Sequence, residues 1–319
     1  MLRYVASRVP SALLVLFLAS VVVFSILRLI PGDPATSLAG PDASPEAVAA
    51  IRADLGLDRP MVTQYFSWLG DLLTGDLGRS YVVGVSITSL VSDGLANTLI
   101  LTGAALLLAI VLALTMSVGG ILADRRWLNA VLSSINTVAV ALPTFVTGTL
   151  LIVLFGVVFR VLPAGGTPPL GFTTRPDLAL QYLLMPALCL ALPAGAALTR
   201  FLTEALHTQL DAPYVTTAQA LGISRRRIVL TQALPNALPS AVTVLGLQTG
   251  ALLGGAVLVE AIFAWPGLGL LIEQGISGRD YPLVQVLMML AVLVFVAIQL
   301  LTDLANALLD PRIRLGGAS

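Results

Sequence analysis

The side chains that most often perform catalysis are scarce in this sequence. It contains one histidine, His207, and one cysteine, Cys189, and its 17 basic residues are all arginine. Without lysine there is no G-x-x-x-x-G-K-[ST] loop to bind nucleotide phosphates, and neither H-E-x-x-H nor G-x-S-x-G occurs. The residue types therefore predict no catalytic site, no metal site and no cofactor held by this chain. We interpret His207 as a solvated residue and Cys189 as a packing residue.

The composition is that of a membrane protein. Of 319 residues, 57% are hydrophobic and 11% are charged, whereas soluble domains average about 45–50% apolar and about 25% charged residues. Such a chain cannot cover a water-facing surface, which excludes a soluble enzyme. The 17 basic residues are balanced by 17 acidic residues, which disfavours a nucleic-acid-binding protein.

Six charge-poor segments are long enough to cross a bilayer, which takes about 20 mostly apolar residues. They predict transmembrane helices near residues 9–30, 97–122, 131–158, 180–199, 237–260 and 283–303. The first segment is long for a signal peptide and no A-x-A site follows it, so we expect a retained signal-anchor helix. Placing the N-terminus inside puts ten arginines on the cytoplasmic side and seven outside. This bias predicts that both termini are cytoplasmic.

These spans divide the chain into four parts. Residues 1–30 form the cytoplasmic N-terminus and first span, and residues 31–96 form an extracytoplasmic helical loop. Residues 97–303 form a five-helix core that contains a cytoplasmic loop at 200–236, and residues 304–319 form a cytoplasmic tail.

The outer loop, 31–96, has signals for two helices. Ser44 and Pro45 have the residue types of an N-cap and a first helical position, which predicts a helix near 45–55. A second helix, near 60–73, has an apolar stripe formed by Met61, Tyr65, Leu69 and Leu72. This stripe suits a helix that lies on the membrane, docks a partner, or packs as a lid on the chain's own transmembrane helices.

The inner loop, 200–236, contains a short helix between two breaks. Pro213 begins a helix that ends near Gly222, and Ser224 is placed to cap the next helix. A short exposed helix with a fixed turn suits docking into a groove on another protein. The cluster Arg225–Arg227 that follows also suits contact with anionic lipid headgroups.

At this loop the sequence resembles the dipeptide/oligopeptide/nickel permease family of ABC importers. Residues Tyr214–Arg227 stand where that family has Y-V-R-T-A-R-A-K-G-L-S followed by a basic cluster. In the wider importer signature, E-A-A-x-x-x-G, Ala218 and Gly222 match, whereas Thr216 and Thr217 replace the first two residues.

The resemblance extends along the whole chain through six further blocks in the family's order. They are Leu29–Pro34, Ser44–Ala47 through Leu55–Pro60, Gly75–Gly78, Glu260–Gly269, Arg279–Pro282 and Leu308–Arg314. Together with the six spans, they imply a type I ABC importer permease fold in a bacterial plasma (inner) membrane.

The resemblance also implies partners and a function. The expected partners are a second homologous permease, two ATPase subunits that carry ATP and Mg, an extracytoplasmic substrate-binding protein and membrane lipid, with no nucleic acid. The expected ATPase-coupling residues are Pro213, Tyr214, Val215, Thr217, Ala218, Ala220, Leu221, Gly222, Ser224 and Arg225. The expected cargo is a di- or oligopeptide, and nickel chelates or glutathione are the alternatives.

Candidate residues for the translocation path and its gate lie on the fifth span. They are Gln248, Thr249, Gly250 and Glu260. Gly246, Gly250 and Gly254 share one helix face, which suits either simple close packing or an interface with the second permease. Glu260 suits either an interfacial residue bonded to loop backbone or a gate and binding-protein contact.

Prolines indicate where the path should run. Pro143, Pro186 and Pro193 are expected to interrupt the third and fourth spans, which is tolerable only against protein or a wet cavity. We therefore expect the pathway among the third to fifth spans.

Two competing functions are disfavoured. A stand-alone secondary transporter usually has an ionisable residue within the membrane. Each predicted span instead largely coincides with a charge-free run of at least 19 residues, and these runs are 9–27, 94–123, 127–159, 178–199, 228–259 and 281–302. An intramembrane enzyme would need a nucleophile and a base within the spans, but His207 lies in a loop.

Overall fold

The structure, a computed structural model, describes residues 2–29, 33–40, 43–54, 56–169 and 171–309. Its helices are α1 (Leu2–Leu29), α2 (Pro34–Ala39), α3 (Pro45–Asp54), α4 (Met61–Thr74), α5 (Ile87–Ala123), α6 (Arg126–Ala141), α7 (Thr144–Leu151), α8 (Gly171–Thr174), α9 (Pro176–Leu210), α10 (Pro213–Ala220), α11 (Arg225–Ile228), α12 (Leu234–Ile262), α13 (Leu268–Ser277) and α14 (Tyr281–Leu309). Two π-helical segments, Ile152–Val158 and Val229–Ala233, follow α7 and α11. The predicted blocks at Pro31–Gly32, Leu55 and 310–314 fall partly or wholly outside the described residues.

Among the residues that the structure describes, five helical stretches are long and apolar enough to cross a membrane. They are Arg8–Ile26 within α1, α5, α9, the continuous stretch Arg225–Ile262, and Tyr281–Thr302 within α14. The pair Arg126–Ala141 and Thr144–Val158 passes the same test together but is bent by 105°. Counting the pair as one span gives the six predicted spans, so the prediction of an all-α membrane protein is confirmed.

The bend in the third span is located at Pro143, as the sequence predicted. Leu142 is extended, with φ −75° and ψ 123°, and Pro143 has ψ 141°. Proline disfavours the helical conformation of the residue before it and has no N–H to donate, so both residues leave the helix. α7 begins directly after Pro143.

The expected interruptions at Pro186 and Pro193 are wrong. Both prolines lie inside α9, which is continuous over 35 residues. Pro186 is buried among helix neighbours, and packing in a membrane helix compensates for the missing N–H.

The helix that Ser224 was placed to cap is continuous with the fifth span. The helix that begins at Arg225 continues to Ile262. Its π-helical turn, Val229–Ala233, ends two residues before Pro235, where a wider turn gives a proline ring more room than an α-helical turn does. The predicted span 237–260 is therefore the later part of one longer helix.

Contacts divide the chain into two compact units, one containing Thr98–Trp265 and the other Ala6–Asn97 with Pro266–Val296. The core of the first unit contains the small buried residues Ala105, Ala109 and Ala113 of α5. A Cβ atom at Gly195 of α9 would lie 3.3 Å from the Ala109 Cα, so these two helices approach closely through small residues.

The second unit contains the helices predicted for the outer loop. Ser44 Oγ accepts a hydrogen bond from the Ala47 N–H at 3.2 Å, which confirms the predicted cap of α3. α2 was not predicted, although Asp33 caps it by accepting from the Ala35 N–H at 3.0 Å. α4 follows Pro60 and ends at Gly75, which is left-handed with φ 83°.

Candidate functional site

The short inner helix α10 has well-defined ends. Pro213 is its first residue, after an extended Ala212. At the other end the Gly222 N–H donates to the Gln219 carbonyl at 2.9 Å and the Ile223 N–H donates to the Ala218 carbonyl at 3.1 Å. This pair of bonds is a Schellman motif, and its left-handed position is Gly222, with φ 75°.

One face of α10 is buried in its own small core. Val215 and Ala218 pack with Ile228 of α11, and Leu210, Tyr214 and Ile223 lie beside them. The Tyr214 hydroxyl also donates to Gln209 Oε1 at 3.1 Å. These contacts join α10 to the end of α9 and to α11, and they therefore fix its direction relative to both helices.

The opposite face of α10 is open. Pro213, Thr217, Ala220, Gly222 and Ser224 are exposed, and Leu221 exposes 75% of its surface. The ten predicted coupling residues therefore divide into an inner set that orients the helix and an outer set available for contact. Ser224 occupies the N-cap position of α11, but its side chain makes no capping hydrogen bond.

Arg225 connects this loop to the end of α5. Its Nη1 donates to Asp124 Oδ2 at 2.5 Å, and its Nη2 donates to the Ile121 carbonyl at 3.2 Å. A cation at the C-terminus of a helix satisfies free carbonyls and opposes the negative end of the helix dipole. The Arg225 guanidinium therefore links the start of α11 to the end of α5, which is the second span.

The candidate path residues on α12 do not converge on one site. Gln248, Thr249 and Gly250 are half-buried, and Thr249 Oγ1 donates to the Leu245 carbonyl of its own helix at 2.8 Å. A Cβ atom at Gly246 would lie 2.1 Å from Thr302 Cγ2, whereas one at Gly254 would meet nothing within 4 Å. Within the described residues, the expected glycine face is thus used for close packing at Gly246 and open at Gly254.

Glu260 is fully buried near the end of α12. Its exposed fraction is 0%, and its Oε1 accepts a hydrogen bond from Thr98 Oγ1 at 2.7 Å. The Glu260 carbonyl also accepts from the Trp265 N–H at 2.8 Å. This geometry favours the interpretation of Glu260 as a structural residue over a direct contact with a binding protein, and its role in gating stays a prediction.

A cavity of about 740 Å³ lies where α5, α6 and α9 meet. Polar side chains line it, among them Ser133 and Asn136 of α6 and Arg200, Glu204 and His207 of α9. The path was expected among the third to fifth spans, but this cavity is bordered by the second, third and fourth. The three ionisable side chains are exposed, and apolar residues such as Met116, Leu132 and Phe201 complete the lining.

Sequence reasoning missed a buried carboxylate in the second unit. Asp280 is 1% exposed and accepts hydrogen bonds from the Ser80 hydroxyl, the Tyr81 N–H at 3.2 Å and the Val82 N–H at 3.3 Å. It also accepts from the Leu283 N–H at the start of α14, and burial raises the pKa of the neighbouring Tyr81 phenol. The Asp-Tyr-Pro order was a usable N-cap signal, whereas the partner loop at 80–82 had none.

Comparisons with known proteins identify the family. The family model described as "Binding-protein-dependent transport system inner membrane component" matches residues 106–315, and the model of the N-terminal part of such components matches residues 1–102. The chain belongs to this family. It is therefore a multi-pass permease subunit of the bacterial inner membrane, and the resemblance found in the sequence is confirmed.

Curated relatives match over nearly the full length. A putative peptide transport system permease protein of Brucella abortus (strain 2308) is 36% identical over 314 residues, which cover 98% of this chain and 99% of the relative. The glutathione transport system permease protein GsiC of Escherichia coli O6:H1 is 33% identical over the same coverage.

Solved structures support the fold. The inward-facing MetNI methionine ABC transporter has a chain with a TM-score of 0.56 and 22% identity, covering 70% of this chain and 97% of that one. An amino acid ABC transporter solved with histidines gives a TM-score of 0.54 at 18% identity, covering 69% and 94%. The prediction of an importer permease fold is thereby confirmed.

Proposed function

We propose that this chain is a permease subunit of an ATP-driven importer of short peptides. It pairs with a second, similar permease, and two ATPase subunits that carry ATP and Mg dock on its cytoplasmic face. An extracytoplasmic binding protein delivers the cargo. Both termini of the chain are cytoplasmic in this arrangement.

The geometry of α10 is the observation that carries the coupling role. The helix is too short to be stable alone, yet it is oriented by a buried face, a Schellman turn and the Arg225 contacts to α5. Its other face presents Leu221 and small side chains. A partner that docks on the open face of α10 can therefore move the helix. Because α10 is held firmly against α9, α11 and α5, this movement reaches the membrane spans.

The names of the relatives support the cargo. One is named for peptide transport and the other for glutathione transport, and glutathione is itself a short peptide. Both relatives align over 98% of this chain. A short peptide is therefore the cargo class that the two relatives share.

The test is uptake by a reconstituted transporter. The chain is co-purified with its partner permease and ATPase subunits, placed in liposomes, and supplied with the cognate binding protein and labelled di-, tri- and oligopeptides, including glutathione. We expect ATP-dependent accumulation of at least one peptide. Accumulation without ATP, or a binding protein that is stabilised by a non-peptide ligand and by no peptide, would contradict the proposal.

A further inference from the structure

The helix α4 has two apolar faces, and only one of them is covered. The face containing Tyr65, Trp68 and Leu72 is half-buried, with the Tyr65 ring centroid 5.4 Å from that of Phe24 in α1. The second face is exposed: Val62 by 67%, Phe66 by 62% and Leu73 by 79%. These positions follow a spacing of four and seven residues and therefore form one stripe along the helix.

The contacts of α4 lie within the membrane-spanning part of α1. Tyr65 Oη shares a hydrogen bond of 2.8 Å with Ser20 Oγ, and both Tyr65 and Trp68 contact the Phe24 ring. The apolar span of α1 runs from Arg8 to Ile26. At a rise of 1.5 Å per residue, Ser20 lies about 9 Å and Phe24 about 3 Å inside the end of that span.

This depth matches that of a helix lying in the membrane interface. Such helices bury their apolar face about 5–10 Å into the boundary between headgroups and acyl chains. Arg28, whose guanidinium lies 5.1 Å from the Phe24 ring centroid, marks the polar level just beyond the span. Thr63, Ser67 and Thr74 lie on the arc of α4 opposite the covered face, as the polar side of an interfacial helix requires.

The surface of α1 that α4 leaves uncovered is also apolar. Phe17, Leu18 and Val22 of α1 are each more than half exposed, and a membrane span exposes such residues to lipid. Because α4 is joined to α1 at the same depth, its uncovered face has the same surroundings. We propose that α4 is embedded in one leaflet and that Val62, Phe66 and Leu73 contact lipid acyl chains.

The proposal assigns α4 to the lipid phase, in contrast to a water-exposed lid or a protein-docking helix. It does not depend on the identity of the cargo. The aromatic residues Tyr65, Phe66 and Trp68 then form a belt at the interface, and the outer loop is anchored to the membrane between the first and second spans.

Site-directed spin labelling tests this in the full transporter. Cys189, whose thiol donates to the Thr144 carbonyl, is replaced by serine, which keeps a donor there. Phe66→Cys and, separately, Val62→Cys are then labelled in liposomes of phosphatidylcholine and phosphatidylglycerol. Ser67→Cys, on the polar arc, is the matched control one residue away.

We expect the labels at 62 and 66 to be more accessible to dissolved oxygen than to a water-soluble nickel chelate, with the order reversed at 67. The nickel chelate colliding freely with the labels at 62 and 66 would overturn the proposal in favour of a water-exposed lid. Protection of both labels from oxygen and nickel alike would overturn it in favour of a protein partner. Both accessibility measurements require only a correctly assembled transporter, so their outcome does not depend on peptide uptake.

Discussion

At the scale of single residues, Gly222 gives the sharpest test of the coupling loop. Its φ is 75°, and a Cβ atom built there would meet nothing within 4 Å. A substitution therefore changes backbone strain without creating a clash. Left-handed backbone costs a side-chain-bearing residue about 1–2 kcal/mol, which is too little to unfold the protein but enough to misdirect α10.

We expect Gly222→Val to insert at the normal level, to lose stable association with the ATPase subunits and to lose uptake. Gly222→Asn is the matched control, because asparagine tolerates the left-handed region and the site has room for its side chain. Co-purification of the ATPases and uptake of labelled peptide are the measurements. A Gly222→Val transporter that keeps both would show that this loop is not the coupling element.

At the scale of secondary-structure elements, the Arg225 contacts link α11 to α5. The ion pair with Asp124 is exposed, with side chains 51% and 67% accessible, so it contributes at most about 1 kcal/mol to stability. Its effect should appear in the position of α10 and hence in transport. We expect Arg225→Ala and Asp124→Ala each to slow uptake at normal protein levels, and the double variant to be little worse than Arg225→Ala.

Arg226→Ala is the matched control for the loss of one positive charge, and we expect it to transport normally. The uptake rates of the wild type, Arg225→Ala, Asp124→Ala and the double variant form a double-mutant cycle. Non-additivity in this cycle measures the coupling between Arg225 and Asp124. Strictly additive losses, or an equal loss in Arg226→Ala, would show that net charge on the loop matters and that the pairing does not.

The helix ends that were predicted correctly are those set by residues close to them in the sequence. Ser44 with Pro45, Pro213 with Gly222, and Pro143 are caps and breakers whose effect depends on their neighbours in sequence, and each was placed correctly. Pro186 and Pro193 were not, because tertiary packing decides whether a proline breaks a membrane helix. Nothing in the hydrophobic pattern distinguishes these two groups.

At the scale of the whole molecule, pairings between distant residues escaped prediction. Arg225 and Asp124 are 101 residues apart, and Asp280 and Ser80 are 200 apart. Hydrophobic periodicity states which face of a helix is buried but not against what. The cavity between α5, α6 and α9 was missed for the same reason, since its lining comes from three separate spans.

The energy for transport is expected to enter through the partner ATPase subunits. The chain has no lysine and so no phosphate-binding loop, and its family is that of a membrane component in a binding-protein-dependent system. We expect the purified chain to hydrolyse no ATP above a buffer control. The assembled complex should hydrolyse ATP, and the peptide-loaded binding protein should raise that rate. A complex that carries Gly222→Val should lose this stimulation, whereas the isolated ATPases should keep their basal rate. Hydrolysis by the chain alone would contradict the proposal that the partner subunits contain the ATPase sites.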